Sequence, residues 1–246
     1  MEQIYKQTFL IDASRTDAFG RATPACLLYF AQEAAGAHCA LLGADHTVLD
    51  KQNLFWAIIR NRMEITRLPV LGETITVETW PMPTTRSSYP RATAGYDKDG
   101  NLLFRSVSLW VLMDIKTRTM VLPGKSGVTV DGVLRGCETA APGSISPKEL
   151  ENTVFRNVSS AELDRNRHMN NTYYLDWTCE LLSGDFRREH PVREFTICYL
   201  NEAREGDNVQ LNFLLSDGPC LQVEGRRNGA NPQEKQERIF TAQLYF

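Results

Sequence analysis

The chain has 246 residues, of which 42% are hydrophobic and 23% are charged, values typical of a folded protein with a sizeable core. Its formal net charge of −3 argues against a general nucleic-acid or membrane binder, because both functions need a basic surface. No apolar run approaches the roughly 18 residues of a membrane span, and the first residues lack the apolar block of a signal peptide, so we expect a cytoplasmic protein.

The cysteines and histidines predict neither a metal site nor a disulfide framework. The six cysteines are scattered without a CxxC pair, and the four histidines show no HExxH spacing. We therefore expect reduced thiols, no metal and no bound cofactor.

The first half of the chain is predicted to contain one helix and a set of strands. An extended run at 4–11 precedes a helix over 23–42. Four strand-like runs follow, at 54–66, 73–80, 89–96 and 102–114. Glycine-containing turn signals at 72–73 and 97–100 separate some of these runs, which favours antiparallel hairpins.

The second half repeats this order. An extended run at 153–158 and a helix over 172–183 are followed by strand-like runs at 193–201, 208–215, 220–226 and 238–246, with a turn signal at 229–232. The stretch from about 122 to 150 is rich in proline, glycine and serine. We predict a first domain over 1–130, a linker over 131–150 and a second domain over 151–246.

An internal repeat relates the two halves at an offset of 147 residues. Asp17 aligns with Asp164, and both begin a short polar loop that leads into a helix. Phe19 and Arg21 of the first loop occupy the positions of Asn166 and His168 in the second. The first half therefore lacks the polar groups of the second and is not expected to perform chemistry.

One long helix and an antiparallel sheet, present twice, predict an α+β fold. A curled antiparallel sheet wrapped around a single long helix is the hot-dog arrangement. We therefore predict two tandem hot-dog domains that share one continuous sheet.

The loop before the second helix contains the candidate catalytic groups. Residues that alternate along an extended segment point the same way, so Asp164, Asn166 and His168 are expected to converge. Asn170 and Asn171 lie at the helix start, where free backbone N–H groups can hold an oxyanion. A base beside an oxyanion site is typical of a hydrolase, although the same residues would also suit a polar loop that caps a helix.

The chain resembles the plant-type fatty acyl-ACP thioesterases and their bacterial relatives, which are double hot-dog enzymes. The second half carries Asp-x-Asn-x-His-x-Asn-Asn-x-x-Tyr over 164–174. The first half contributes further matching residues: Trp56, 60–65, 72–73, 78–80, 108–114 and 117–118. The resemblance implies hydrolysis of fatty acyl-ACP, a first half that shapes the acyl-binding tunnel, and a phosphopantetheine arm that enters near the second helix.

The resemblance also implies residue roles. Asn166 and His168 match the catalytic amide and imidazole of the family, Asp164 matches the acid before them, and Glu202 matches a glutamate on the next strand. Ala203 departs from the family, because many relatives have a cysteine there. We expect water to be the nucleophile, with either His168 or Glu202 as the base.

Other readings stay open at this stage. An acyl-CoA thioesterase and a non-catalytic acyl-binding module are the main alternatives, and a hot-dog dehydratase fits the motif poorly. Cys179 and Cys198 are candidate nucleophiles but are expected to be buried. An acidic carrier protein predicts a locally basic docking surface, and monomer and homodimer are equally plausible. The candidate docking residues are Arg60, Arg62, Arg86, Arg91, Arg187 and Arg188.

Overall fold

The computed structural model describes residues 3–147, 149–227 and 236–246. The chain divides into two compact units, Met1–Pro142 and Gly143–Phe246, called here the first and second units. The turn predicted at 229–232 lies outside the described residues.

The described residues of the first unit form six strands and three α-helices. In chain order they are β1 (Tyr5–Leu10), α1 (Pro24–Leu41), α2 (His46–Leu49), β2 (Leu54–Ile65), β3 (Thr74–Pro81), β4 (Tyr89–Tyr96), β5 (Leu102–Asp114), β6 (Met120–Val121) and α3 (Pro123–Ser126). Five strands form an antiparallel sheet in the order β1-β3-β4-β5-β2, and β6 pairs with β5. The strands predicted from the sequence are confirmed to within two residues.

Helix α1 packs against one face of this sheet. Thr23 caps its N-terminus by accepting from the Cys26 N–H, and Pro24 occupies the first turn, where no backbone donor is needed. Phe30 of the helix stacks on Phe9 of β1 with ring centroids 4.3 Å apart. The predicted helix over 23–42 is confirmed.

Among the described residues, no single helix has the length and apolar character needed to cross a membrane. Only α1 taken together with 46–52, across a 57° bend, meets that test by length and composition.

The opposite face of the first sheet is covered by the stretch from 133 to 139. Trp80 donates from Nε1 to Glu138 Oε1 at 3.0 Å, and Arg135 pairs with Glu78 at 2.5 Å. Val133 and Cys137 pack against the buried cluster around Trp80. Part of the stretch predicted as a linker is therefore an ordered covering layer of the first unit.

The second unit has the same topology. Its elements are β7 (Asn152–Asn157), α4 (Asn171–Cys179), α5 (Gly184–Glu189), β8 (Glu194–Tyr199), β9 (Asn208–Ser216), β10 (Cys220–Arg227) and β11 (Glu237–Tyr245). The antiparallel order β7-β9-β10-β11-β8 matches β1-β3-β4-β5-β2 strand for strand.

The second helix is shorter than predicted. α4 ends at Cys179, and the Ser183 side chain caps the separate helix α5 by accepting from the Phe186 N–H, so the predicted end at Ser183 is wrong. Most of α4 consists of threonine, aromatic and aspartate residues, which have weak helix propensity. The helix has 9 residues, whereas α1 has 18.

In both units a glycine on one strand lies directly against a phenylalanine on the neighbouring strand. Gly95 of β4 pairs with Phe104 of β5, and Gly225 of β10 pairs with Phe240 of β11. Each glycine is followed by a break in strand register, and each phenylalanine is fully buried. A Cβ atom on either glycine would clash with the phenylalanine ring, so the requirement for glycine is steric.

We predict that Gly225→Ala destabilises the protein by about 1–3 kcal/mol, because the added methyl must displace the Phe240 ring. Urea unfolding measures the loss, with Gly218→Ala as the control because no atom lies within 4 Å of a Cβ there. Equal stability of the two variants would contradict the steric argument.

Candidate functional site

The loop from Asp164 to His168 is a tight turn and not an extended segment. Asp164 Oδ1 accepts from the backbone N–H groups of Asn166 at 2.7 Å and His168 at 3.1 Å. The Asp164 N–H donates to the His168 carbonyl at 2.7 Å, and Arg167 has a left-handed φ of 62°. The predicted extended segment, in which Asp164, Asn166 and His168 point the same way, is therefore wrong. Asp164 instead holds the loop backbone through these hydrogen bonds.

The structure brings His168 and Glu202 together. His168 Nε2 lies 3.0 Å from Glu202 Oε2. The imidazole is largely enclosed, at 11% side-chain exposure, whereas the carboxylate is 36% exposed. His168 precedes α4 and Glu202 follows β8, so the fold joins two loops that lie 34 residues apart in sequence.

Three hydrogen bonds fix these two loops against each other. The Met169 N–H donates to the Ala203 carbonyl at 2.8 Å, one residue beyond each member of the pair. The Ala203 N–H donates to Tyr174 Oη at 3.3 Å, and Tyr199 Oη donates to the Asn171 carbonyl at 3.0 Å. Helical spacing alone predicts only that Tyr174 packs in the core. The hydrogen bond that its hydroxyl accepts from Ala203 depends on the three-dimensional placement of both loops.

The start of α4 narrows the choice of oxyanion donors. Asn170 is the N-cap and accepts from the Thr172 N–H at 3.1 Å, while its own N–H donates to the Glu162 carbonyl at 2.8 Å. The Tyr173 N–H donates to the Asn170 carbonyl. Among the described residues, no such acceptor is found for the Asn171 N–H, which is the first N–H of the helix.

Asn166 lies at the rim of the site. It is exposed, and its side chain makes no hydrogen bond to His168 or Glu202 in the part of the chain that the structure describes. Its amide can therefore meet a ligand from solvent, but it is not part of the His168–Glu202 contact.

The cysteines do not offer a nucleophile. Burial raises the pKa of the Cys179 thiol to about 12, so the reactive thiolate is scarce at neutral pH. Cys198 is buried and donates to the Gly143 carbonyl at 3.4 Å. The side chain at position 203 is a fully buried methyl group. These observations favour water as the nucleophile.

The first unit contains the same loop without the catalytic groups. Asp17 accepts from the N–H groups of Phe19 at 2.9 Å and Arg21 at 3.0 Å, as Asp164 does from Asn166 and His168. Gly20 takes the left-handed position of Arg167, with φ of 72°. The Ala22 N–H donates to the Pro69 carbonyl, which is the counterpart of the Met169–Ala203 bond.

The two units differ at the positions of the proposed catalytic residues. Arg21 replaces His168 and forms an ion pair with Asp17 at 2.9 Å. Leu68, which precedes Pro69, stands in the place of Glu202. The shared loop is therefore structural, and only the second unit carries an acid beside a histidine at this position. Within the described part of the chain, no group of three or more histidine, cysteine, aspartate or glutamate residues is placed to hold a metal ion.

Family models match almost the whole chain. The acyl-ACP thioesterase N-terminal domain matches residues 2–122, and the acyl-ACP thioesterase C-terminal domain matches residues 146–240. The chain belongs to the acyl-ACP thioesterase family. Each of the two models falls largely on one compact unit.

Curated plant thioesterases are among the relatives of this acyl-ACP thioesterase family member. It is 24% identical over 229 residues to a palmitoyl-acyl carrier protein thioesterase of Gossypium hirsutum, covering 87% of this chain and 55% of the relative. It is 25% identical over 227 residues to oleoyl-acyl carrier protein thioesterase 1 of Arabidopsis thaliana, covering 83% of this chain and 62% of the relative. The chain thus spans less than two thirds of the length of these relatives.

Solved structures of acyl-ACP thioesterases share the fold. A Bacteroides thetaiotaomicron acyl-ACP thioesterase superposes with a TM-score of 0.89 at 24% identity, covering 99% of this chain and 98% of the other. A 12:0-ACP thioesterase of Umbellularia californica gives a TM-score of 0.82 at 21% identity, covering 100% and 97%. The α+β hot-dog fold predicted from the sequence is confirmed.

One arginine predicted for carrier docking is not at the surface of this thioesterase family member. Arg91 is only 6% exposed and lies beneath α1, where it contacts His38. It is therefore excluded as a docking residue. Arg86 and Arg188 are exposed, as a docking role requires.

Asp176 of α4 is a half-buried carboxylate with no hydrogen-bond partner among the described residues. Burial, together with the charges of Glu180 and Glu162, raises its pKa to about 7. The folded state therefore keeps a proton that the unfolded state loses near its ordinary pKa of about 4. Stability contributed by this group is lost as pH rises between those two values, and the loss is complete above the folded pKa.

We predict that Asp176→Asn is more stable than the wild type at pH 8 and that its advantage shrinks at pH 5. Thermal unfolding at both pH values measures the difference. Asp185→Asn is the control, because Asp185 is 87% exposed. A larger advantage at pH 5 than at pH 8 would contradict the assignment.

Proposed function

We propose that the chain hydrolyses the thioester of fatty acyl-ACP, releasing a free fatty acid and the carrier protein. The observation that carries this proposal is the 3.0 Å contact between His168 Nε2 and Glu202 Oε2 in a chain of this family. The first unit has arginine and leucine at these two positions, which supports a catalytic role for the second unit alone.

The reaction needs a base, a water molecule and a site for the oxyanion. Glu202 is the more exposed member of the pair, so its carboxylate is the group that accepts the proton of the attacking water. His168 orients that carboxylate from its enclosed position. Asn166 at the rim holds the water or the thioester carbonyl.

The water oxygen bonds to the thioester carbon, and the charge that develops on the carbonyl oxygen is stabilised by the Asn171 N–H at the start of α4. The C–S bond then breaks, and the sulfur of the phosphopantetheine arm leaves as a thiol with the proton returned from the base. A thioester has a good leaving group, so no covalent enzyme intermediate is required. No metal or bound cofactor enters these steps.

The first unit, on this proposal, holds the acyl chain, and the free acid would end or edit fatty acid synthesis. The curated relatives include palmitoyl, oleoyl and dodecanoyl enzymes, so relationship alone does not assign a chain length. The cytoplasmic location and the choice between monomer and homodimer stay predictions.

The test is thiol release from a panel of acyl-ACPs and matched acyl-CoAs, with His168→Ala measured alongside. His168-dependent release from acyl-ACP, faster than from acyl-CoA, supports the proposal. Because the carrier is acidic, raising the salt concentration should weaken the preference for ACP. Release from CoA esters alone would instead identify an acyl-CoA thioesterase, and no release from any ester would indicate an acyl-binding module.

A further inference from the structure

The sheet face beneath α1 in the first unit carries a band of buried polar side chains. This face is identified by Tyr5 of β1, which stacks on His38 of α1 with ring centroids 5.8 Å apart. Strand register places Tyr5 of β1 opposite Thr79 of β3, and Thr79 opposite Thr93 of β4. The polar band consists of Asn61, Thr79, Arg91, Thr93, Ser106 and Ser108, none more than 7% exposed.

Arg91 is the charged member of the polar band, and it contacts an imidazole, a hydroxyl and a thiol. Its Nη1 donates to His38 Nδ1 at 3.1 Å and to Thr79 Oγ1 at 3.3 Å, and its Nη2 contacts Cys39 Sγ at 3.7 Å. Among the described residues no carboxylate pairs with it. A buried guanidinium without an acid is costly, because its charge has left water without a counter-charge.

The second unit provides an internal comparison for the same sheet positions. Strand register gives each residue of the polar band a counterpart in the second unit. Thr79, Thr93 and Ser106 correspond to Phe213, Val223 and Ala242, in that order. Arg91, Ser108 and Asn61 correspond to Leu221, Leu244 and Phe195. All six polar residues thus have apolar counterparts in the same topology. The fold does not require the polar band, so folding alone does not explain it.

Two further polar groups lie at the interface of α1 and the sheet without partners. Gln7 Oε1 of β1 and Gln32 Nε2 of α1 are buried and make no hydrogen bond in the described part of the chain. Gln7 faces the helix, as Tyr5 does, two residues away on the same strand. Gln32 precedes Cys39 by two helical turns and shares its side of α1. An unpartnered acceptor and an unpartnered donor between α1 and the sheet indicate a ligand that carries polar atoms of its own.

We propose that the polar band recognises an oxygen atom on the acyl chain, so that chains bearing a hydroxyl, oxo or carboxylate oxygen away from the thioester are preferred over plain alkyl chains. The inference rests on the proposed function, because it takes the bound group to be an acyl chain held by the first unit. Arg91 donates to the oxygen, whereas a methyl or methylene group placed there would give its charge no acceptor beyond His38 and Thr79. The band hydroxyls already bond within the chain, Thr93 to Thr79 and Ser106 to Asn61, and so hold the polar surface around Arg91 in place.

The test compares kcat/KM for acyl-ACPs of one chain length, either unsubstituted or carrying a hydroxyl, an oxo group or a terminal carboxylate at successive distances from the thioester. At the matching position we expect the oxygenated chain to be favoured by about tenfold or more, as one well-placed hydrogen bond allows. Thr93→Val/Ser106→Ala introduces the residues of the second unit and removes the hydroxyls that bond Thr79 and Asn61. The polar surface around Arg91 is then lost, and the preference should fall towards unity. Arg91→Leu should abolish it if the variant folds.

Thr241→Val is the matched control, since Thr241 is a fully buried hydroxyl of the second unit that donates to the Ile145 carbonyl. It should keep the wild-type preference. A wild type that disfavours oxygen at every position, or a folded double variant with an unchanged preference, would overturn the inference.

A binding measurement keeps the inference testable if acyl-ACP hydrolysis fails. Free hydroxylated and plain fatty acids are titrated against wild type and the double variant, and the thermal shift is recorded. Tighter binding of the hydroxylated acid to wild type alone supports the polar band even when no ester is cleaved. Equal binding of both acids to wild type would overturn it.

Discussion

His168→Ala is expected to fold normally and to hydrolyse acyl-ACP about 10²–10⁴-fold more slowly than the wild type. The imidazole lies 3.0 Å from the Glu202 carboxylate, so the substitution removes the enclosed group that orients the base, while Arg204 stays 3.5 Å from the same carboxylate. The loop itself should persist, because Asp164 holds the backbone of residues 166 and 168 and not the imidazole. Turnover under saturating acyl-ACP, measured with thermal unfolding, separates lost chemistry from lost folding.

The first unit supplies the matched control. Arg21 occupies the equivalent loop position, where its backbone N–H bonds Asp17 as that of His168 bonds Asp164. Arg21→Ala should therefore perturb an equivalent loop and leave kcat at the wild-type value. Wild-type turnover in His168→Ala would remove His168 from the mechanism, and an equal loss in both variants would attribute the effect to loop structure.

The strands were predictable because each signal is local. Alternating apolar residues mark a strand. The predicted turns at 72–73 and 97–100 each contain a glycine with the left-handed φ that only glycine adopts readily. The repeat predicted at an offset of 147 residues is confirmed, because Asp17 and Asp164 accept equivalent turn hydrogen bonds in the two units. The end of α4 was predicted less well, because the apolar spacing continues past Cys179 into the turn before α5.

The assembled site and the polar band depend on long-range pairing. Glu202 lies 34 residues after His168, and no local pattern in the chain predicts that the two side chains meet. The resemblance to a family supplied that residue. In the same way Thr79, Arg91 and Asn61 lie on three strands, and only strand register shows that they share one buried face. Periodicity assigns a residue to a face of its own strand but does not align that strand with its neighbours.

Glu202→Gln is expected to lower kcat by about 10²–10⁴-fold while preserving the shape of the site, because an amide can still bond His168 but cannot accept a proton from water. Turnover under saturating acyl-ACP measures the loss, and thermal unfolding alongside it shows whether the variant is folded. Glu205→Gln is the control, since Glu205 is an exposed carboxylate three residues away. Wild-type kcat in Glu202→Gln would assign the base to His168.

The double variant His168→Ala/Glu202→Gln tests whether the two side chains act as one unit. If His168 works by orienting Glu202, its removal matters little once the carboxylate is gone, and the double variant should be about as slow as the slower single variant. If each side chain acted on the substrate independently, the two losses would multiply. The 3.0 Å contact predicts the first outcome, because groups that share a hydrogen bond are the ones whose effects fail to add.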